Sequence, residues 1–170
     1  MLVKEQVQSV VSPRPNSFSG LMEIYEINYI QLRLLLGDLR CASGLEGVYA
    51  AGLVGHLLLK IEVKESSKHT TTLLMTYLFG QDSQGNPLET RPDMLVRVYH
   101  DALQAEVVSH RCKLAISGSL RHRMPETDSV LYCRWRINRF LFKWLSYLRR
   151  RNYMLETVTL NTIDRFYRIN

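Results

Sequence analysis

LVRVYHDALQAEVV, residues 95–108, reads as a β-hairpin whose register can be set from its side chains. Residues directly opposite in an antiparallel pair share a face, and successive residues alternate between faces. Pairing Val98 with Ala105 and Val96 with Val107 gathers the apolar residues on one side. The other side then sets Tyr99 against Gln104 and Arg97 against Glu106, an opposite-charge pair. Such cross-strand pairs stabilise by about 0.2–1 kcal/mol. His100–Leu103 is left as the connection, with His100 and Asp101 at its tip.

A second hairpin precedes it. Leu57, Leu59, Ile61 and Val63 alternate with Lys60, Glu62 and Lys64, the pattern of a strand with one wet face. Thr70–Phe79 supplies its partner. A three-residue loop, Ser66–Lys68, would set Val63 opposite Thr71, Ile61 opposite Leu73, Leu59 opposite Met75 and Glu65 opposite His69. A two-residue loop would set Ile61 against Thr72, a poorer match. Gly80–Asp93, with Gly85, Asn86, Pro87 and Pro92, reads as a long inserted loop. Cys112–Ser119 reads as another strand, with Leu114 and Ile116 inward, and Leu120–Asp128 as a loop around Pro125. Alternation in Leu155–Asn170 suggests a short last strand.

Helices flank these strands. Leu21, Ile24, Ile27, Leu32, Leu35 and Leu36 recur at three- and four-residue spacing and predict a helix over Ser19–Leu39. Ser17 or Ser19 would cap it, Glu23 and Glu26 would face its positive end, and Gly37 would close it. A second helix is expected over Ser129–Arg151, with Val130, Cys133, Ile137, Leu141, Trp144, Leu145 and Leu148 as its apolar stripe and Phe140 beside it. Between the first helix and the first hairpin, CASGLEGVYAAGLVG is a loop or an irregular strand. Strands joined by hairpins make this an α+β fold: an antiparallel meander of four to five strands flanked by an N-terminal and a C-terminal helix. Residues 1–18, with Pro13 and Pro15, read as a flexible tail, 19–154 as one domain and 155–170 as an extension.

Bulk properties narrow the function classes. The 170 residues are 46% hydrophobic, enough for one domain with a core. No apolar run reaches the roughly 18–20 residues of a membrane span, and the N-terminus lacks the apolar block of a signal peptide. Three cysteines, Cys41, Cys112 and Cys133, in no CxxC spacing, argue for free thiols and a cytoplasmic setting. The net charge of +6 favours anionic partners.

The motif search is mostly negative. Gly47 and Gly52 have phosphate-loop spacing, but Leu53 and Val54 stand where Lys and Ser or Thr are needed. His110-x-Cys112 lacks further ligands at zinc spacing, and Ser117-Gly118-Ser119 is no nucleophile elbow. No metal or cofactor is expected.

LMEIYEINYIQLRLLL, KESSKHTTTL, VRVYHDALQAEV and INRFLFKWLSYL, in this order, resemble the YqiB-like family of bacterial proteins, domain of unknown function 1249. The resemblance spans Leu21–Arg150. It rests on Arg97, Tyr99, His100, Asp101, Ala102, Ala105, Glu106 and Val107, and on Asn138, Phe140, Leu141, Trp144 and Leu145. Family sequences can carry an Asp-Glu-Lys run where this chain has Tyr132-Cys133-Arg134. The resemblance implies a cytoplasmic bacterial protein and no reaction, cofactor or partner.

Two sets of residues remain as candidates. Arg136, Arg139, Lys143 and Arg150 give the second helix a basic face. Seven basic and no acidic residues lie between Arg134 and Arg151, with Tyr132, Trp135, Tyr147 and Tyr153 nearby. That footprint suits a protein or nucleic-acid partner. His100 and Asp101, joined by Glu65 and His69 if the hairpin mouths align, form the alternative, an uncharacterised enzyme or ligand site. The bland reading of the pair is turn chemistry, Asp101 bonding its own backbone. The balance favours a small non-catalytic binding or adaptor protein acting through helix 130–151.

Overall fold

The computed structural model describes residues 13–39, 48–51, 57–81, 87–108 and 126–153. Helix α1 (Phe18–Leu36) is followed by β1 (Val48–Ala51), β2 (Leu58–Ser66), β3 (Thr70–Gln81), β4 (Pro87–Tyr99), β5 (Gln104–Val107) and helix α2 (Glu126–Arg150). The five strands pair in chain order and every pair is antiparallel. This is the expected α+β meander between two helices. The expected strands at 112–119 and 155–170 lie outside the described residues, as do the cysteines Cys41 and Cys112 and residues 1–12 of the tail.

The opening hairpin has the expected register, Val96–Val107, Arg97–Glu106, Val98–Ala105 and Tyr99–Gln104. Its four apolar residues are buried. The β2–β3 register differs from the expected one by two residues up to Val63, where Ile61 faces Met75, Val63 faces Leu73 and Leu59 faces Tyr77, and by three beyond it, where Glu65 faces Thr72 and not His69. The turn is tighter and later, closed by the Ser67 N–H donating to the Thr70 carbonyl at 2.8 Å. A bulge between Val63 and Glu65 then takes up one residue and returns Ile61 and Val63 to apolar partners. A two-residue displacement keeps each side chain on its face, so Leu59 and Ile61 are buried as expected while Leu57, before the strand, is 44% exposed. On the wet face Glu62 accepts from Lys64 at 2.6 Å and pairs with Lys60 at 3.3 Å, which holds its carboxyl below the usual range, the Lys64 hydrogen bond contributing most.

The expected loop at 80–93 is not one. β3 runs on to Gln81 and β4 starts at Pro87, so most of the stretch is paired backbone. Its prolines sit where a sheet tolerates them: Pro87 is the first residue of β4, and Pro92 lies in a register irregularity, where Pro92 and Asp93 together face Thr76. β5 reaches only the far half of β4, opposite Val96–Tyr99, so Pro92 needs to donate no bond to it.

α1 begins on Ser17, whose hydroxyl accepts from the Gly20 N–H at 3.0 Å. It ends on Gly37, at φ +80°, whose N–H donates to the Arg33 carbonyl. The first turn holds no acidic residue, so Glu23 and Glu26 lie too far along to complement the dipole. α2 starts at Glu126, three residues before the expected Ser129. At its end Asn152 takes a positive φ, the Asn152 N–H donates to Arg149 and the Tyr153 N–H to Leu148, the paired bonds of a Schellman cap. Tyr153 packs in the same cluster as Leu148, and its hydroxyl donates to the Leu57 carbonyl at 2.9 Å.

Both helices contribute to one core over one face of the sheet. Leu32, Leu35 and Leu36 of α1 and Leu141, Trp144, Leu145 and Leu148 of α2 meet Leu59, Ile61, Leu73, Met75, Val96, Val98, Ala105 and Val107. A smaller cluster joins the helices to each other through Leu21, Ile24, Tyr25 and Trp135. Val130, assigned to the core stripe by periodicity, is 60% exposed. Cys133 is disulfide-bonded, which corrects the expectation of three free thiols and removes the cysteines as an argument for a reducing compartment.

Candidate anion-binding face

α2 has two inner sides, and their geometry leaves the third to solvent. One side, around Leu141, Leu145 and Leu148, meets the sheet, and the other, around Leu131, Trp135 and Phe142, meets α1. Arg136, Arg139, Lys143 and Arg150 all remain exposed on the rest. The first three line a cleft of about 400 Å³ with Tyr132, Trp135 and Phe140, and with Pro15 and Asn16 ahead of α1. The Arg136 guanidinium lies over the Tyr132 ring at 5.8 Å and that of Arg139 over the Trp135 ring at 5.2 Å. Stacking on a ring holds a guanidinium while leaving its N–H edge open to a carboxylate or phosphate. Arg150 stands apart, its Nε donating to the Ser146 carbonyl one turn back.

Where α2 crosses the end of the sheet it makes a polar lock. Asn138 is fully buried; its Oδ1 accepts the Val107 N–H at 2.9 Å and its Nδ2 donates to the Arg134 carbonyl at 2.8 Å. The Asn138 carbonyl accepts from Asn28 of α1 at 3.3 Å. β5 is the last strand of the described sheet, so its outward N–H groups need such an acceptor. Beside the lock, the Glu106 carboxylate accepts from the Tyr25 and Tyr99 hydroxyls at 3.1 and 2.8 Å and pairs with Arg134 at 3.1 Å. Arg97 faces Glu106 in the ladder as expected, but the ion pair falls to Arg134, while the Arg97 Nε donates to Thr72.

Burial and then the neighbouring Glu106 charge push the Tyr25 hydroxyl far above its ordinary 10.0, and Tyr99 moves the same way. A raised folded-state value leaves this contribution complete below the unfolded pKa and removes it as pH climbs past 10. Tyr25→Phe is expected to make the loss of stability between about pH 9 and about pH 11 shallower, as read from urea midpoints. An unchanged alkaline slope would detach Tyr25 from the effect.

The hairpin-mouth residues are placed differently from one another. The His100 N–H donates to the His69 carbonyl at 2.8 Å, so the two tips do adjoin through their backbones. The His100 ring is buried, with Nε2 2.8 Å from the Thr71 hydroxyl. Glu65, His69 and Asp101 are exposed, and Asp101 Oδ1 accepts the N–H of Ala102, the turn chemistry weighed above. A second cleft of about 630 Å³ lies near this tip, and its walls include Ala102 and Leu103 but neither His100 nor Asp101. Among the described residues no three His, Cys, Asp or Glu side chains are grouped to hold a metal. None of the described helices is long and apolar enough to cross a membrane.

Sequence reasoning missed the Asn138 lock and the Tyr25–Glu106–Arg134 network. An asparagine set among the apolar positions of a helix is the available signal, since Asn is a poor helix former that persists where its amide is used. The Tyr132-Cys133-Arg134 stretch supplies the ring under Arg136, the disulfide cysteine and the Glu106 partner.

Fold and face together define a small α+β protein with a basic, aromatic-lined helix. A family model described as "Protein of unknown function (DUF1249)" matches residues 32–154. The chain belongs to that family. It is similar to the uncharacterized protein YqiB of Escherichia coli strain K12 and to its counterparts in the O6:H1 and O157:H7 strains, each 29% identical over 133 residues, 76% of this chain and 86% of the relative. No solved structure matches it.

Proposed function

We propose that this is a non-catalytic binding protein that takes an anionic partner on the outward face of α2. One observation carries the reading: Arg136, Arg139 and Lys143 converge on a single cleft, two of them stacked on aromatic rings. A face that served only solubility would carry charges of both signs, with acids interspersed among the bases to relieve repulsion. Here the stretch from Arg134 to Arg151 has seven basic residues and none acidic.

Binding of labelled heparin and of a polyglutamate peptide, followed by fluorescence anisotropy, tests this. With about four cations engaged, affinity for a polyanion should fall roughly a hundredfold from about 50 to about 200 mM salt. Arg136→Glu with Lys143→Glu should weaken binding at least about tenfold, whereas Lys64→Glu with Lys68→Glu, an equal charge change on the exposed β2–β3 hairpin, should leave most of it. Equal losses for both variants would reduce the effect to net charge and sink the reading.

A further inference from the structure

Cations and aromatic rings alternate along one line of α2. Arg136, Phe140, Lys143, Tyr147 and Arg150 follow one another at steps of four, three, four and three residues. That mean step of 3.5 is close to the helical repeat, so the five lie in one stripe along the axis. All five are exposed, including two rings that a soluble helix would ordinarily turn inward, Phe140 at 45% and Tyr147 at 40%. Both rings are held: Phe140 packs against Trp144 at 6.1 Å, and the Arg151 guanidinium lies over Tyr147 at 5.6 Å. Trp144 is itself fixed by its Nε1–H donating to the Tyr77 hydroxyl at 2.7 Å.

We infer that this stripe is a binding track for single-stranded nucleic acid, with bases stacking on Phe140 and Tyr147 and phosphates held by Arg136, Lys143 and Arg150. The inference rests on the anionic reading above and narrows its partner. Heparin or an acidic peptide has use for the cations and none for two exposed rings between them. A duplex presents its phosphates but keeps its base faces stacked inside. An unpaired strand presents both, which is why basic grooves set with aromatic rings serve such strands. From Arg136 to Arg150 the axial rise is about 21 Å, enough for about six stacked nucleotides. Arg139, stacked on Trp135 beside the line, adds a phosphate-binding edge.

A fluorescein-labelled oligothymidylate of about twelve nucleotides, twice the track, is compared with a duplex of equal length and with heparin. The single strand should bind more tightly than the duplex. Phe140→Ala with Tyr147→Ala should weaken the single strand at least about tenfold, the scale of losing two stacked bases, and leave heparin within about twofold. Tyr147→Trp should keep strand affinity, with its fluorescence quenched on binding. Because both rings are exposed the variants should fold, and unchanged urea midpoints check that. If the alanine pair leaves strand affinity intact, or if heparin binds and the strand does not, this inference fails while the anionic reading stands. If neither heparin nor the strand binds, both fail.

Discussion

Asn138→Ala should lower the unfolding free energy by about 2–4 kcal/mol, an unbonded buried donor plus the void left behind. The Val107 N–H now donates to Asn138 Oδ1 at 2.9 Å, in a site from which water is excluded. Alanine leaves that donor without its acceptor and removes the bond from Asn138 Nδ2 to the Arg134 carbonyl. Leucine would fill the space yet leave the donor unmet, so Asn138→Leu should rescue little. Urea denaturation gives the free energy and hydrogen exchange locates it: the Val107 amide should lose protection before the centre of β3 does. Unaltered protection at Val107 in the alanine variant would show that the amide lock is not what holds the helix to the strand.

Leu145→Ala is expected to cost about 2–5 kcal/mol, and Val130→Ala to stay within about 0.5 kcal/mol. The two residues share a helix and, by spacing, one apolar stripe. Leu145 is fully buried in the larger cluster, on the side of α2 that meets the sheet, while Val130 is 60% exposed. Truncating Leu145 therefore opens a cavity in the larger cluster, where Leu141, Leu148, Val96 and Val98 already fill their places and cannot collapse inward without strain. Thermal midpoints of the two variants should separate clearly. Comparable shifts would mean that the first turns of α2 are packed as its middle is.

The difference between these two leucine-like positions shows where sequence was legible. Alternation is a short-range property, and the 95–108 hairpin was read to the residue because its four apolar positions admit a single register. The β2–β3 hairpin kept its faces but not its pairing, because Thr70–Thr72 pair about equally well at neighbouring offsets and the bulge beside Lys64 leaves no mark in the sequence. Pro87 and Pro92 read as loop residues because their tolerance depends on what lies next to β4, a property of the sheet and not of the strand. A single amphipathic stripe was assigned to α2, whereas the helix packs on two sides. Trp135 therefore went unplaced in the core and Val130 was misplaced in it. Of the candidate residues, the basic ones were visible as composition. Their adjacency to Tyr132, Trp135 and Phe140 follows from three- and four-residue spacing, but which side of α2 is left to solvent depends on how it is rotated against α1. The disposition of His100, inward on Thr71, and Asp101, outward on its own turn, depends on a positive φ at Leu103 and its neighbours' turn, which spacing alone does not specify.

The connectivity of the bonds between layers has a kinetic side. Each strand of the meander finds its partner next in the chain, so the sheet can zip hairpin by hairpin with short loops to close. The helical layer cannot: Asn28 meets the Asn138 carbonyl across 110 residues, and Gln31 meets Ser146 across 115. On a ribosome, α1 and the described strands emerge before α2 exists, and for that interval the Val107 amide lacks its acceptor and Val96, Val98 and Leu73 lack the cover that α2 gives. Emergence of α2 is thus the step that completes this core and ends that exposure to aggregation and chaperones. A stop ahead of residue 126 should give a product recovered from the insoluble fraction, not a smaller folded protein.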